Sequence, residues 1–160
     1  MKQLTLVRHA AAEPEQFPAK DFDRALSDAG MEEVKKLGKF MNNQGLLPGC
    51  IACSSANRTQ QTASLLKDNF GSAVLPFTAS PLLYNAGFQT LLDFLRNFSN
   101  EVHDLMLVAH NPGISQLATV LSSEHPYQFS TASGLCLKFE VQDWKDLQNG
   151  SGKEIWYFNP

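Results

Sequence analysis

Short apolar runs alternate with longer segments in which apolar residues recur every three or four positions, and the alternation repeats four times along the chain. Residues 3–8, with Leu4, Leu6 and Val7, read as a short buried strand. After a loop, Ser27 offers an N-cap, Val34, Leu37 and Met41 follow at helical spacing, and Gly45 stops the helix. Residues 49–53 form a second apolar run. A helix over 55–69 follows, with Ala63, Leu66 and Phe70 on one face and Gly71 as its stop. A third strand is expected over 72–78, and Leu91, Leu92, Leu95 and Phe98 mark the helix after it. Residues 105–109 are continuously apolar, as suits a strand covered by helices on both faces. Asn111 is the expected N-cap of the next helix, with Pro112 at the first helical position, where its missing N–H costs nothing. Ile114, Leu117, Ala118 and Leu121 complete its apolar stripe.

Towards the end of the chain the period changes to two. Over residues 135–142, Leu135, Leu137, Phe139 and Val141 alternate with Cys136, Lys138, Glu140 and Gln142, which predicts a strand with one wetter face. Asn149-Gly150-Ser151-Gly152 is turn material, and residues 154–158 read as a returning strand. Repeated β–α units with an antiparallel end predict an α/β protein. The expected architecture is a three-layer sandwich, with a mostly parallel central sheet flanked by helices and an antiparallel C-terminal hairpin. One domain is expected over residues 1–160.

Composition removes several classes of function. The 43% hydrophobic and 18% charged fractions belong to a globular chain, not a disordered one. A net charge of −3 argues against nucleic acid as a partner, since such binders carry an excess of basic charge. No apolar run approaches the ~20 residues that span a bilayer, so no membrane partner is expected. The N-terminus reads as a strand in place of a leader peptide, and the cytoplasm is the expected home. Three cysteines cannot all pair, and no disulfide scaffold is expected.

Ligands of open α/β sheets bind beyond the carboxyl ends of the strands. After the first strand come Arg8 and His9. After the second come Ser54, Ser55 and, in the first turn of the next helix, Arg58; after the fourth come His110 and Asn111-Pro112. Taken singly, each has a bland reading: a surface pair, a solvated helix arginine, a satisfied histidine. Together, two arginines and two histidines at strand ends suit a phosphoryl group. Arginine forks grip phosphate oxygens and stay charged, and a neutral imidazole is a competent nucleophile toward phosphorus.

Leu6-Val7-Arg8-His9-Ala10, residues 53–63 around Arg58 and Val108-Ala109-His110-Asn111-Pro112-Gly113 resemble, in order and spacing, the three signatures of the histidine phosphatase superfamily. The short chain, the stretch from Asp23 to Gly30 and the hairpin-like end resemble its smallest branch, the SixA-type phosphohistidine phosphatases. The resemblance runs from about Lys2 to Phe158 and implies a phosphoglycerate mutase-like fold. It implies that His9 is a transiently phosphorylated nucleophile, that Arg8 and Arg58 bind the phosphoryl oxygens, and that His110 completes the pocket. Neither a cofactor nor a metal is expected, because the arginines and the second histidine supply the positive field. Arg24, ahead of the first helix, either reaches the phosphate rim or is a solvated loop residue.

Two departures from the family's pattern bear on the substrate. Ala10 stands where the first signature usually ends in glycine, a change of one methyl. Larger members place a carboxylic acid after the third strand to protonate an alkoxide leaving group. Here that region, Ser80 to Gly87, holds no carboxylate, and the next is Asp93, inside a helix. The expected substrate is therefore a phosphohistidine on a signalling protein, whose imidazole leaves readily. Glu13, in the loop after His9, keeps a second reading open, a small phosphate ester with Glu13 as acid. A non-catalytic phosphate-binding module is the third. Cys50-Ile51-Ala52-Cys53 matches C-x-x-C but lies in a buried strand and reads as packing. His103, His125, Thr131 and Ser133 read as surface, turn or strand-edge residues. The identity of a protein partner and the oligomeric state stay open at this level.

Overall fold

A computed structural model of the chain describes residues 1–71 and 74–160. Six strands form one sheet: β1 (Lys2–Arg8), β2 (Cys50–Ser54), β3 (Phe77–Ser80), β4 (Asp104–Ala109), β5 (Gly134–Phe139) and β6 (Lys153–Phe158). Four helices accompany them: α1 (Asp28–Asn43), α2 (Asn57–Asn69), α3 (Phe88–Arg96) and α4 (Gly113–Leu121). The strand order is β3-β2-β4-β1-β5-β6. β1 to β4 run parallel, β5 is antiparallel to β1, and β6 is antiparallel to β5.

Successive side chains of a strand point to opposite faces. Leu4, Leu6, Leu105 and Leu107 therefore pack on one side with Leu91, Leu95, Ile114 and Leu117 of α3 and α4. Val7, Ile51, Met106 and Val108 pack on the other with Val34, Leu37, Ala63 and Leu66 of α1 and α2. Each fully buried side chain of this kind is worth about 1.5–3 kcal/mol relative to exposure, so the central strands are mainly apolar, with Thr5 of β1 and Ser54 of β2 among the few buried polar exceptions. This is the expected three-layer α/β sandwich with an antiparallel C-terminal hairpin.

The helix ends follow local chemistry. Ser27 Oγ accepts the Gly30 N–H at 3.1 Å, the expected N-cap of α1. Gly45 and Gly71 take left-handed φ of 69° and 65° just past α1 and α2, where a Cβ would be strained.

Three elements differ from the sequence reading. Of the strand expected over 72–78, residues 72 and 73 lie outside the described residues, and β3 begins only at Phe77. Pro76 has no N–H to give to a ladder. As an edge strand β3 also needs no continuous apolar run. α4 begins at Gly113 with Pro112 as its cap, because the Asn111 side chain is engaged elsewhere. It donates to the Phe129 carbonyl at 2.9 Å and accepts from Ser115 Oγ at 2.6 Å. A Cβ on Gly113 would lie 2.0 Å from the Ala86 carbonyl oxygen, so the start of α4 packs against that loop only as glycine. Finally, β5 ends at Phe139, and Cys136 on its supposedly wet face is fully buried beside Trp156. α1 reaches over the hairpin, with Phe40 packed edge-on against Trp156, and only Lys138 is half-exposed.

Cys50, Cys53 and Cys136 are free and buried, and burial pushes the Cys53 thiol up to about 12 and that of Cys136 to about 11. They are packing residues, as the strand position of the C-x-x-C suggests. No helix among the described residues is long and apolar enough to cross a membrane.

Candidate active site

The sheet order places β2, β4 and β1 side by side, so the residues leaving their carboxyl ends meet on one rim. His9 and Ala10 follow β1, Ser54 ends β2, His110 follows β4, and Arg58 lies in the first turn of α2. Thr62, one turn further along α2, ties the rim together. Its Oγ1 accepts the Ala10 N–H at 3.1 Å and donates to the Arg58 carbonyl at 2.8 Å. Ala10 itself is fully buried, and its methyl is accommodated.

The hydrogen bonds fix the histidine tautomers. His9 Nδ1 lies 2.8 Å from the Ala10 carbonyl oxygen, which can only accept, so Nδ1 carries the proton. Nε2 is then an unprotonated lone pair, and Arg58 Nε points at it from 3.3 Å. His110 Nδ1 faces Arg58 Nη2 at 3.3 Å, so it too is bare, and His110 Nε2 donates to Ser54 Oγ at 2.8 Å. The two rings stand 5.1 Å apart at 63°. One edge of the Arg58 guanidinium, Nε with Nη2, thus faces both imidazoles.

Arg8 anchors through Nη1 to the Phe129 carbonyl at 2.9 Å, while its buried Nε has no partner among the described residues. Burial lowers its pKa, and Glu33 opposes that shift. Glu33 on α1 also accepts the Ala11 N–H at 2.9 Å and Thr131 Oγ1 at 3.0 Å, bracing the turn after His9. Arg24 bonds the Glu13 carbonyl at 2.6 Å and Asp21 Oδ1 at 2.9 Å, and its charge reaches the His9 ring. The structure therefore brings together His9, Arg58 and His110 directly, with Arg8 and Arg24 close enough to act on His9 electrostatically.

Glu13 is the loop carboxylate the sequence left open as an acid. It is exposed, its backbone is pinned to Ala25 and Arg24, and its carboxylate makes no hydrogen bond among the described residues. Asp93 is exposed on α3 and accepts from Gln89. Asn85 sits exposed with a left-handed φ of 49°, and the residue that turns to the rim is its neighbour Tyr84, whose ring is 5.6 Å from His110.

The carboxylate that bonds Arg58 is Asp21, which the sequence reading passed over. Nothing in the local pattern separates it from Asp23, two residues on. Asp21 Oδ2 accepts from Tyr84 Oη at 2.7 Å and from Arg58 Nη2 at 3.1 Å. The Tyr84 hydroxyl, with Arg24 and Arg58, holds its carboxyl down to about 2. Tyr84 is pushed the other way by the same bond.

Burial is the main cause that pulls His9 down to about 4, and the charges of Arg58, Arg8 and Arg24 add to it against the opposing Ala10 bond. Burial, followed by the charges of His9 and Arg58, takes His110 to about 3. Both rings are therefore neutral at pH 7. A nitrogen-15 NMR titration should show His9 staying neutral as pH falls through 6.5 and protonating only near 4. Unfolded histidines take up protons near 6.5, so their contribution to stability is intact above that pH and falls as the pH drops toward 4. A His9 midpoint near 6.5 would contradict the buried, cation-flanked environment.

The sequence profile of the histidine phosphatase superfamily (branch 1) matches residues 4–93, more than half of the chain, and the chain belongs to that superfamily. The matched span holds Arg8, His9 and Arg58, and His110 lies beyond it. An uncharacterized chloroplastic protein of Arabidopsis thaliana is 26% identical over 97% of this chain and 74% of its own length. An uncharacterized protein of Mycobacterium leprae is 25% identical over 96% of this chain and 99% of its own. Among solved structures, one described as a phosphohistidine phosphatase SixA of Agrobacterium tumefaciens superposes with a TM-score of 0.83 at 25% identity, covering 99% of this chain and 98% of that one. The mycobacterial glucosyl-3-phosphoglycerate phosphatase shares the fold at a TM-score of 0.69 and 14% identity, covering 99% of each chain. The mostly parallel sheet with its antiparallel end is thus the phosphoglycerate mutase-like fold.

Proposed function

We propose that residues 1–160 form one phosphatase domain working through a phosphohistidine at His9, and that its substrate is phosphohistidine on another protein. The observation that carries this reading is the bare His9 Nε2, fixed by the Ala10 carbonyl and flanked by Arg58 and His110. The lone pair of Nε2 attacks phosphorus, and the P–N bond of a substrate protonated on its other ring nitrogen breaks with its electron pair going to the ring, which departs as neutral imidazole. Water then attacks the phosphoenzyme, the bond from phosphorus to Nε2 breaks, inorganic phosphate leaves, and His9 is restored. Arg8, Arg58 and His110 bind the phosphoryl oxygens, and Arg24 adds charge at the rim. Charge on the equatorial oxygens shifts during transfer, and fixed donors in a dry site stabilise it without reorganising. No step is routed through a metal or cofactor.

The state of the carboxylates supports phosphohistidine over an alkyl ester. Asp21 stays ionised far below neutral pH, so it has no proton for an alkoxide. The similarity to SixA-type structures points the same way. The phosphomonoesterase reading draws on the fold shared with the glucosyl-3-phosphoglycerate phosphatase, and needs a protonated acid such as Glu13 at the leaving group.

The test is to trap the intermediate. Brief exposure to a radiolabelled phosphohistidine protein should leave label on the chain that is acid-labile and base-stable. Arg58→Ala should slow turnover about 10²–10³-fold, the usual cost of one donor to a transferring group. Oxyanion binding with neither label nor turnover would support the binding-module reading instead.

A further inference from the structure

Arg58 presents two edges, and they do different things. Its Nε and Nη2 edge faces the lone pairs of His9 and His110, the space a phosphoryl group would enter. Its outer edge is gripped by one residue: Nη1 donates to the Asp21 backbone carbonyl at 2.7 Å, and Nη2 to Asp21 Oδ2 at 3.1 Å. The Arg58 side chain is 5% exposed and that of Asp21 32%, so the pair sits at the boundary between the packed rim and water.

Asp21 is itself held from two more directions. Tyr84, arriving after β3, donates its hydroxyl to Oδ2, and Arg24 bonds Oδ1. The turn that carries Asp21 (Asp21–Asp23) buries no residue of its own. Polar and edge contacts fix it to the rim instead: Asn57 Nδ2 bonds the Asp23 carbonyl at 3.1 Å, and the Phe22 ring stands edge-on to Tyr84 at 5.1 Å. Segments from three parts of the chain thus converge to hold one guanidinium at a fixed angle.

We propose that Asp21 is a positioning residue that grips Arg58 from its outer edge and so aims the opposite edge, as a two-pronged fork, at the phosphoryl site. This rests on the phosphatase reading above for what enters that site. An unsupported arginine has several rotatable bonds to freeze each time it binds an oxyanion. With Asp21 in place that ordering is already complete before substrate arrives. The arrangement also separates Asp21 from a competitor role, because the carboxylate lies on the edge the phosphoryl group does not need.

The sign of one measurement decides the matter. A carboxylate beside an anion site repels the anion, so by charge alone deleting Asp21 would tighten oxyanion binding. Positioning demands the opposite. Tungstate binding by calorimetry should weaken about tenfold in Asp21→Ala, with kcat/KM for p-nitrophenyl phosphate falling by a similar factor, as expected when a binding group loses its alignment. Asp21→Asn keeps an oxygen acceptor and should recover most of the loss. In an Arg58→Ala background Asp21→Ala should cost nothing, or should tighten tungstate binding. Tyr84→Phe, which leaves the backbone untouched, should weaken tungstate in the same direction and lose that effect once Arg58 is alanine. Tungstate binding by Asp21→Ala as tight as or tighter than the unmodified protein, or an undiminished loss without Arg58, overturns the proposal. A chain that binds tungstate but neither turns over p-nitrophenyl phosphate nor traps label overturns the phosphatase reading instead, and the tungstate comparison still judges Asp21.

Discussion

His9→Ala should lower phosphatase turnover by about 10⁴–10⁶-fold, the scale of removing a covalent nucleophile, and should leave no acid-labile label on the chain. The expectation follows from which lone pairs are free. His9 Nε2 is bare because Nδ1 gives its proton to the Ala10 carbonyl, and the ring stays neutral down to about pH 4. His110 has a bare Nδ1 as well, but it faces Arg58 Nη2 on a buried ring, whereas the His9 ring is only half-buried. His110→Ala should therefore slow phosphoryl transfer while still permitting label on His9. Substantial turnover in His9→Ala, with loss of label only in His110→Ala, would reverse the assignment of the two rings.

Alkyl phosphates should be hydrolysed about 10²–10⁴-fold more slowly than phosphohistidine or aryl phosphates, the usual contribution of a general acid that this rim does not supply. An alkoxide leaves poorly unless it is protonated, whereas p-nitrophenolate is a weak base, and a phosphohistidine can carry its own proton on the other ring nitrogen and so release neutral imidazole without an enzymatic acid. Of the carboxylates near the rim, Asp21 is held ionised by Tyr84 and two arginines, and Glu13 is exposed with its carboxylate unbonded among the described residues. Glu13→Gln should accordingly leave phosphohistidine turnover almost unchanged. Equal rates on alkyl phosphate and phosphohistidine, both collapsing in Glu13→Gln, would show that the loop delivers an acid and would favour the phosphomonoesterase reading. A series of phosphate esters with leaving groups of graded basicity gives the same answer continuously, through the steepness of the rate against leaving-group pKa.

Much of this protein is legible in one dimension because the forces that fix it are local or periodic. The short run with Leu4, Leu6 and Val7 and the continuously apolar 105–109 announce buried strands, and the structure buries these residues under helices. The 3.6-residue stripes locate the helices, while Ser27, Gly45 and Gly71 set ends that depend only on neighbouring backbone. Strand ends are where α/β proteins bind ligands, so Arg8, His9, Arg58 and His110 could be singled out before their distances were known. What the sequence left undecided depends on partners far along the chain. The tautomer of His9 is set by a carbonyl whose direction only the folded turn determines. Asn111 loses its expected capping role to Phe129 and Ser115. Cys136 becomes core because α1 crosses the hairpin, which its alternating pattern could not reveal. Asp21 is the clearest case: its neighbours in the chain make it an ordinary loop acid. Arg24 reaches its Oδ1 from three residues away, but only the approach of Arg58 from α2 and Tyr84 from beyond β3 puts two donors on Oδ2, and a pattern read along the chain carries no record of side chains that meet across 37 and 63 residues.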